Sequence, residues 1–228
     1  MEQKPAAQRT PEESKRAILR TAARLFISKG YTGTTLRLIA KEAQVNIGSL
    51  MYFYESKENI LCSLVSHVLN GQFTATRTLL QNVTDDPILF WAAETTLQLY
   101  MAESSESVRE LYLAAYSQPR SAALIYQTIA EKMMVYFRDY YPDYEIKDFY
   151  ELEIATGGII RGFMSVPCDM YFTMERKVRR YLETSFLVYK VPAEKLQQAI
   201  TFVSQIDFAA TAPQVVNSLL TTLDQQMA

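Results

Sequence analysis

The sequence is poor in the residues on which most enzymatic and metal chemistry depends. Its 228 residues contain one histidine, two cysteines, one tryptophan and seven glycines. His67 stands alone inside a helical pattern, where a packed or surface role is the ordinary one for a lone imidazole. Cys62 and Cys168 are far apart and show none of the close spacing of metal ligands, which suits a reduced, cytoplasmic chain. With so little glycine there is no phosphate-cradling G-x-x-x-x-G-K-[ST], no G-x-G-x-x-G and no G-x-S-x-G elbow. Glu151 and Glu153 are two apart, which puts them on different faces of a helix rather than together as an acid–base pair. No apolar run approaches the ~18 residues that span a bilayer, and the first sixteen residues lack the apolar core of a secretion signal. These absences argue against an enzyme, a metal or cofactor protein and a membrane protein.

What is present is helical. Hydrophobic residues make up 49% of the chain, recur at i, i+3, i+4 and i+7, and show no strand-like alternation between turn signals. The periodicity predicts an all-α chain of about ten helices. A first helix opens at Thr10-Pro11-Glu12-Glu13, with Thr10 as N-cap and Glu13 closing a capping box, and ends before Gly30. A long helix runs from Lys57 to about Leu80. Further helices are expected at 87–102, 106–117, 121–140, from an Asp148 cap to about 166, at 170–189, at 193–208, and from Pro213 to about 226. Charge divides unevenly. Residues 1–60 carry ten Lys/Arg and six Asp/Glu, a balance of +4, which leaves −6 for the remainder. A basic head on an acidic body suits a head that meets phosphate, although a solvated surface gives the same count.

The most informative stretch is Thr34–Lys57. Thr35 can cap a helix over 36–43 whose apolar stripe is Leu36, Ile39, Ala40 and Ala43. Gln44-Val45-Asn46 is a tight connection, and Asn46 can cap a second helix, Ile47–Tyr54. Eight residues are too few for a stable helix in isolation, so Leu50 and Tyr54 must dock it. Two helices through such a corner form a helix-turn-helix, whose second helix enters the DNA major groove.

This stretch resembles the N-terminal domain of the TetR family of bacterial regulators. The resemblance rests on Thr34, Thr35, Ile39, Ala40, Ala43, Val45, Gly48, Ser49, Leu50, Tyr52, Ser56, Lys57 and Glu58 and covers roughly residues 10–65. It implies a three-helix DNA-binding head over 10–56, preceded by a disordered arm over 1–9, and a helical ligand-binding and dimerisation body over 57–228. Thr35, Arg37, Ile47, Gly48, Ser49, Tyr52 and Lys57 are then the candidate DNA-contacting residues. Ile47, Gly48 and Ser49 stand nearest base edges, Tyr52 can meet a phosphate or a thymine methyl, and Lys57 can meet a phosphate at a helix N-terminus. Three positions depart from the family's usual pattern. Gln44 replaces a glycine, and Met51 and Phe53 replace residues with polar groups, which weakens phosphate contact and leaves room for a helical interaction protein that has lost specific DNA binding.

The rest of the chain carries no motif. It holds 12 of the 15 tyrosines, and a buried phenol needs a partner. The resemblance implies a homodimer on a palindromic operator, formed through helices near the C-terminal end. It also implies a cavity for a small effector, for which Trp91, Tyr112, Tyr116, Met133, Phe137 and Phe163 are the candidate lining. Such a lining suits an apolar or aromatic compound.

Overall fold

The structure is a computed structural model and describes residues 9–225, with side chains as far as Leu223. Among these residues there are eleven α-helices and no strand: α1 (Pro11–Lys29), α2 (Leu36–Glu42), α3 (Ile47–Tyr54), α4 (Lys57–Leu79), α5 (Pro87–Glu103), α6 (Glu106–Ser117), α7 (Pro119–Tyr136), α8 (Ile146–Ser165), α9 (Met174–Val188), α10 (Ala193–Ser204) and α11 (Phe208–Gln225). None of them is long and apolar enough to cross a membrane. The expected arm over 1–9 lies outside the described residues except for Arg9, whose guanidinium donates to the Ala43 carbonyl at 2.7 Å.

Short polar side chains start the helices. Thr10, Thr35, Asn46, Ser56, Asp86 and Ser105 each accept from an N–H of the following first turn. These bonds satisfy donors that a helix start leaves without partners. Asp148 is not the cap of α8. Glu145 is, and Asp148 sits at the third helical position, accepting from the Glu145 N–H at 2.7 Å. Other boundaries differ from expectation as well: α7 ends at Tyr136 and not at 140, α9 begins at Met174 and not at 170, and α10 ends at Ser204 and not at 208. Pro119 opens α7, since its fixed φ suits a first helical position, and Pro213 lies inside α11, which Asp207 starts by accepting from the Ala210 N–H.

The body is built around α5. Thirteen of its residues are buried, on every face of the helix, because α4, α6, α7, α8, α9, α10 and α11 all pack against it. A helix without a solvent face must be apolar all round, and most of α5 is. Trp91 anchors an aromatic cluster: the rings of Phe186, Phe137 and Tyr189 lie 5.2, 5.4 and 5.5 Å from it. In the head, α1 packs on α2, α3 and α4, and also on α6 and α11 of the body. The head is therefore braced at two places besides α4.

Candidate functional site

In the head, α2 and α3 are held by the residues the pattern predicts. Leu50 is 0% exposed and Tyr54 4%, and the Tyr54 hydroxyl donates to the Lys15 carbonyl at 3.2 Å. Thr34 is buried and donates to the Gly30 carbonyl at 2.8 Å, fixing the loop before α2. Gln44 takes a φ of 56° at the end of α2. That left-handed conformation is the physical reason a glycine suits this position, and glutamine holds it at a cost of roughly 1 kcal/mol. The Val45 N–H still donates to the Ala40 carbonyl at 3.0 Å, so the corner closes normally.

The opposite face of α3 is open. Ile47, Met51 and Tyr52 are 45%, 41% and 83% exposed. Gly48 is exposed and Ser49 half-buried beside them, and Thr35 and Arg37 are exposed at the start of α2. The Tyr52 ring is steadied edge-on by Phe53 at 5.4 Å. Phe53 itself is half-buried, so it supports this face rather than projecting from it. Lys57 differs from the other candidates. Its ammonium donates inward to the Tyr31 and Thr34 carbonyls at 2.9 and 3.0 Å and lies over the Tyr31 ring. In this conformation it ties the start of α4 to the loop before α2.

The body contains two adjoining cavities. The larger, about 80 Å³, is apolar. Its wall is formed by Ala23 and Ile27 of α1, Leu61, Leu64, Val65, Val68 and Leu69 of α4, Tyr112 and Tyr116 of α6, and Leu219, Leu220 and Leu223 of α11. The smaller, about 20 Å³, is edged by Phe73, Trp91, Glu94, Thr95, Gln98, Tyr116, Met133, Glu153, Thr156 and Tyr181. Gln98 and Tyr116 line both cavities, and the Gln98 amide donates to the Tyr116 hydroxyl at 3.0 Å between them. Gly157 brings α8 close to this wall, since a Cβ there would meet the Tyr126 ring at 2.6 Å.

Burial sets the chemistry of the smaller cavity. Glu94 and Glu153 are 3% and 5% exposed, and desolvation pushes both carboxyls up to about 8. Glu153 accepts from Thr156 at 2.9 Å and from the Tyr189 hydroxyl at 3.3 Å. Glu94 meets no hydrogen-bond or ion-pair partner among the described residues; the Lys132 charge acts on it only from a distance. Burial also raises the phenols of Tyr112, Tyr116 and Tyr181. At neutral pH this centre is a set of uncharged acids and phenols.

The six expected lining residues therefore divide. Tyr112 and Tyr116 line the apolar cavity, while Trp91, Tyr116 and Met133 line the polar one. Phe137 and Phe163 line neither. Helix α7 ends at Tyr136, so Phe137 turns into the aromatic cluster and stacks on Tyr189 at 4.0 Å. Phe163 faces Phe172 and Tyr181 at 6.4 and 6.2 Å. The expectations missed Glu94, Gln98, Gln72 and Glu153. A signal for the first two exists in the sequence: before its terminal Glu103, α5 is apolar on every face except at Glu94, Thr95, Thr96 and Gln98. Polar side chains in a helix with no wet face must point at something other than water. Trp91, Glu94, Thr95, Gln98 and Met101 share one stripe by helical spacing.

Comparison with known proteins places this architecture. Residues 18–64 match the model for bacterial regulatory proteins of the tetR family. The N-terminal helix-turn-helix segment is a TetR-family domain. Among its relatives, the probable HTH-type transcriptional regulator YttP of Bacillus subtilis (strain 168) is 26% identical over 189 residues, covering 79% of this chain and 84% of YttP. YuxN of the same organism, an uncharacterized HTH-type transcriptional regulator, is 35% identical over 63 residues, and that match spans only 22% of YuxN. Two solved structures share the fold of the whole chain. RolR in complex with the ligand resorcinol has a TM-score of 0.63 at 12% identity, covering 86% of this chain and 95% of RolR. SmeT, the repressor of the Stenotrophomonas maltophilia multidrug efflux pump SmeDEF, has a TM-score of 0.53 at 18% identity, covering 79% and 90%.

Proposed function

We propose that this chain is a ligand-responsive transcriptional repressor that binds a palindromic DNA site as a homodimer and releases it when a small effector enters the body. One observation carries the reading: the apolar cavity shares a wall with the DNA-reading head. Helix α4 supplies five of the cavity's apolar side chains and begins three residues after α3 ends. A cavity of about 80 Å³ is smaller than the ~150 Å³ void that accepts benzene. An effector of aromatic size must therefore displace the wall, and α4 moves with it. Differential affinity for the displaced arrangement is what shifts the equilibrium. Two contacts extend the coupling. Glu110 of α6 accepts from the Thr32 N–H at 2.7 Å, and Arg120 of α7 bonds Glu58 and Asn59 at 2.7 and 2.8 Å. That RolR, of the same fold, forms a complex with resorcinol agrees with a small aromatic-sized effector.

On this reading Ile47, Gly48, Ser49, Met51 and Tyr52 form the surface laid in the major groove. Thr35 and Arg37 meet phosphates, and Lys57 positions α4. The test is a salt titration of binding to DNA taken from upstream of the chain's own gene. Specific binding at ~50–100 mM salt is expected, with affinity falling as salt rises. Arg37→Ala should weaken binding to all sequences and reduce the slope by about one ion, while Tyr52→Ala should cost about tenfold or more. Absence of specific or salt-dependent binding overturns the proposal and favours a helical interaction protein.

The dimer is proposed to form across the outer face of α8 and α9. Along α8, Ile154, Ala155, Gly158, Gly162 and Ser165 are exposed at helical spacing, a small-residue stripe that lets a second helix approach closely. Leu187 of α9, a helix that packs on α8, is 77% exposed, whereas α11 packs inward on α1, α4 and α5. A Cβ at Gly158 would meet nothing within 4 Å. Gly158→Glu should therefore leave the fold intact and yield a monomer in sedimentation, with DNA affinity reduced 100-fold or more. A dimeric variant would place the interface elsewhere.

A further inference from the structure

We propose that the effector site takes a small organic cation, an aryl-alkyl amine whose ring enters the apolar cavity and whose ammonium group reaches Glu94 and Glu153. The proposal rests on the effector-binding reading above and specifies its chemistry. Three observations point the same way.

The first is the mismatch between the two acids and their surroundings. Glu94 and Glu153 are at least 95% buried at the edge of one cavity, and among the described residues neither forms an ion pair of the kind made elsewhere in the body. The Lys177 ammonium, for comparison, reaches Glu103 at 2.7 Å. Among the described residues the one cation acting on Glu94 is Lys132 of α7, whose ammonium is placed over the Phe73 ring, 4.0 Å from its centre. The titratable groups facing the pair are otherwise phenols: Tyr112 and Tyr116 of α6, Tyr126 and Tyr136 of α7, Tyr181 of α9, and Tyr189 just past its end. Farther out on packed elements, Arg77 of α4 acts on Tyr136, Arg161 of α8 acts on Tyr126, and Lys195 of α10 pairs with Asp86. Without a counter-charge a buried acid is held protonated, and an incoming cation supplies the partner that lets one of the two ionise. An anionic effector would meet two buried acids, and the one base among the described residues that line the two cavities is half-buried His67, whose Nε2 lies 3.0 Å from the Leu219 carbonyl.

The second observation is Gln72. It is 0% exposed, it lines the apolar cavity, and neither its amide oxygen nor its amide nitrogen has a hydrogen-bond partner. A buried amide with both ends unsatisfied marks a place where a polar ligand atom belongs. The third is the route between the cavities. Gln98 and Tyr116 line both the apolar cavity and the cavity that holds the acids, and the proposal requires a rotation of their side chains to join the two spaces. The aromatic faces of Phe73, Trp91 and Tyr181 around the acids suit a cation as well.

The binding step balances as a proton exchange. Near neutral pH the empty site holds protonated carboxyls. The alkylammonium binds as the cation, a carboxyl gives its proton to solvent, and the complex contains a carboxylate–ammonium pair. Binding therefore releases close to one proton at pH 6–7 and few at pH 9, where the carboxyls are already ionised. Affinity should rise with pH up to about 8 and then level.

The test uses benzylamine, phenethylamine and 3-phenylpropylamine, each against the neutral alcohol of the same skeleton, by calorimetry in buffers of different ionisation enthalpy. At least one amine should bind tenfold or more tightly than its alcohol at pH 7 and release about one proton. Glu94→Gln, Glu153→Gln and the double variant should lose the preference for the amine. Alcohols that bind as tightly as the amines, amines that bind without proton release, or no amine binding at all would overturn the proposal. Because the proton count is read on the unaltered protein, a variant that folds poorly leaves the test intact. Binding of unliganded protein to DNA is measured separately, so failure of the effector assignment is distinguishable from failure of the regulator reading.

Discussion

Raising the pH from 5 to 8 should destabilise this protein, and replacing both buried acids by glutamine should abolish most of that loss. Glu94 and Glu153 are pushed up to about 8 by burial, whereas an unfolded chain titrates its glutamates near 4.3. Between these limits the folded state binds more protons than the unfolded one, so stability falls as pH rises and levels off above about 8. The slope is roughly 1 kcal/mol per unit of pH for each acid. For a chain of this size the summed effect corresponds to a fall in Tm of roughly 10 °C or more. Carboxylates held low by bonds to the charged form, such as Glu103 beside Lys177 and Asp86 beside Lys195, act in the opposite sense. Their contribution is lost only as pH falls below about 4, outside this window. The Glu94→Gln/Glu153→Gln double variant keeps the shape of both side chains and removes the charge. Thermal melts at pH 5, 6, 7, 8 and 9 decide the matter: a native chain whose Tm is flat or rising from 5 to 8 would show that these carboxyls are not held neutral.

Leu50→Ala should separate the fold of the body from the activity of the head. Leu50 is fully buried and docks an eight-residue helix that cannot persist alone. Truncating it removes apolar contact and leaves a void, which costs about 2–5 kcal/mol and lowers Tm by roughly 5–15 °C. The helix that carries Ile47 and Tyr52 loses its seat, so specific DNA binding should fall at least 100-fold. Far-UV helicity should change little, because α3 contributes only eight helical residues. Met51→Ala, one residue away but 41% exposed, should alter stability by less than about 0.5 kcal/mol. Paired melts and mobility shifts on the two variants check this, and a Leu50→Ala protein with unchanged Tm and operator affinity would refute it.

The head was more legible in the sequence than the body, for a physical reason. Caps, corners and short amphipathic helices are local: Thr10, Thr35, Asn46 and Ser56 act on N–H groups two or three residues away, and Leu50 and Tyr54 share a face by spacing alone. Even the unusual glutamine at 44 could be recognised as a departure, though its φ of 56° supplied the reason. In the body, the aromatic residues gave a composition without an arrangement. Phe137 and Phe163 looked like lining as much as Tyr112 did, because all recur on apolar helix faces. Which of them borders a void depends on how seven helices pack around α5. The Glu151–Glu153 spacing is a local fact that misdirects, since the partner of Glu153 across the cavity is Glu94, 59 positions earlier in the chain.

The same division holds for Thr34–Lys57, where a tight corner between two short helices follows from residue order alone. By itself the sequence determined that the chain is all-α, that its N-terminal part carries a TetR-family helix-turn-helix, and which side chains of that unit face inward. These depend on hydrogen bonds and periodicities within a few turns of chain. Only the tertiary structure decided that Lys57 spends its ammonium on two carbonyls of the preceding loop. It alone showed that α4 is at once the wall of a cavity and the continuation of the head, and that two acids lie buried at the centre of the body with no ion-pair partner among the described residues. Those facts depend on distances between residues far apart in sequence, which no local pattern encodes.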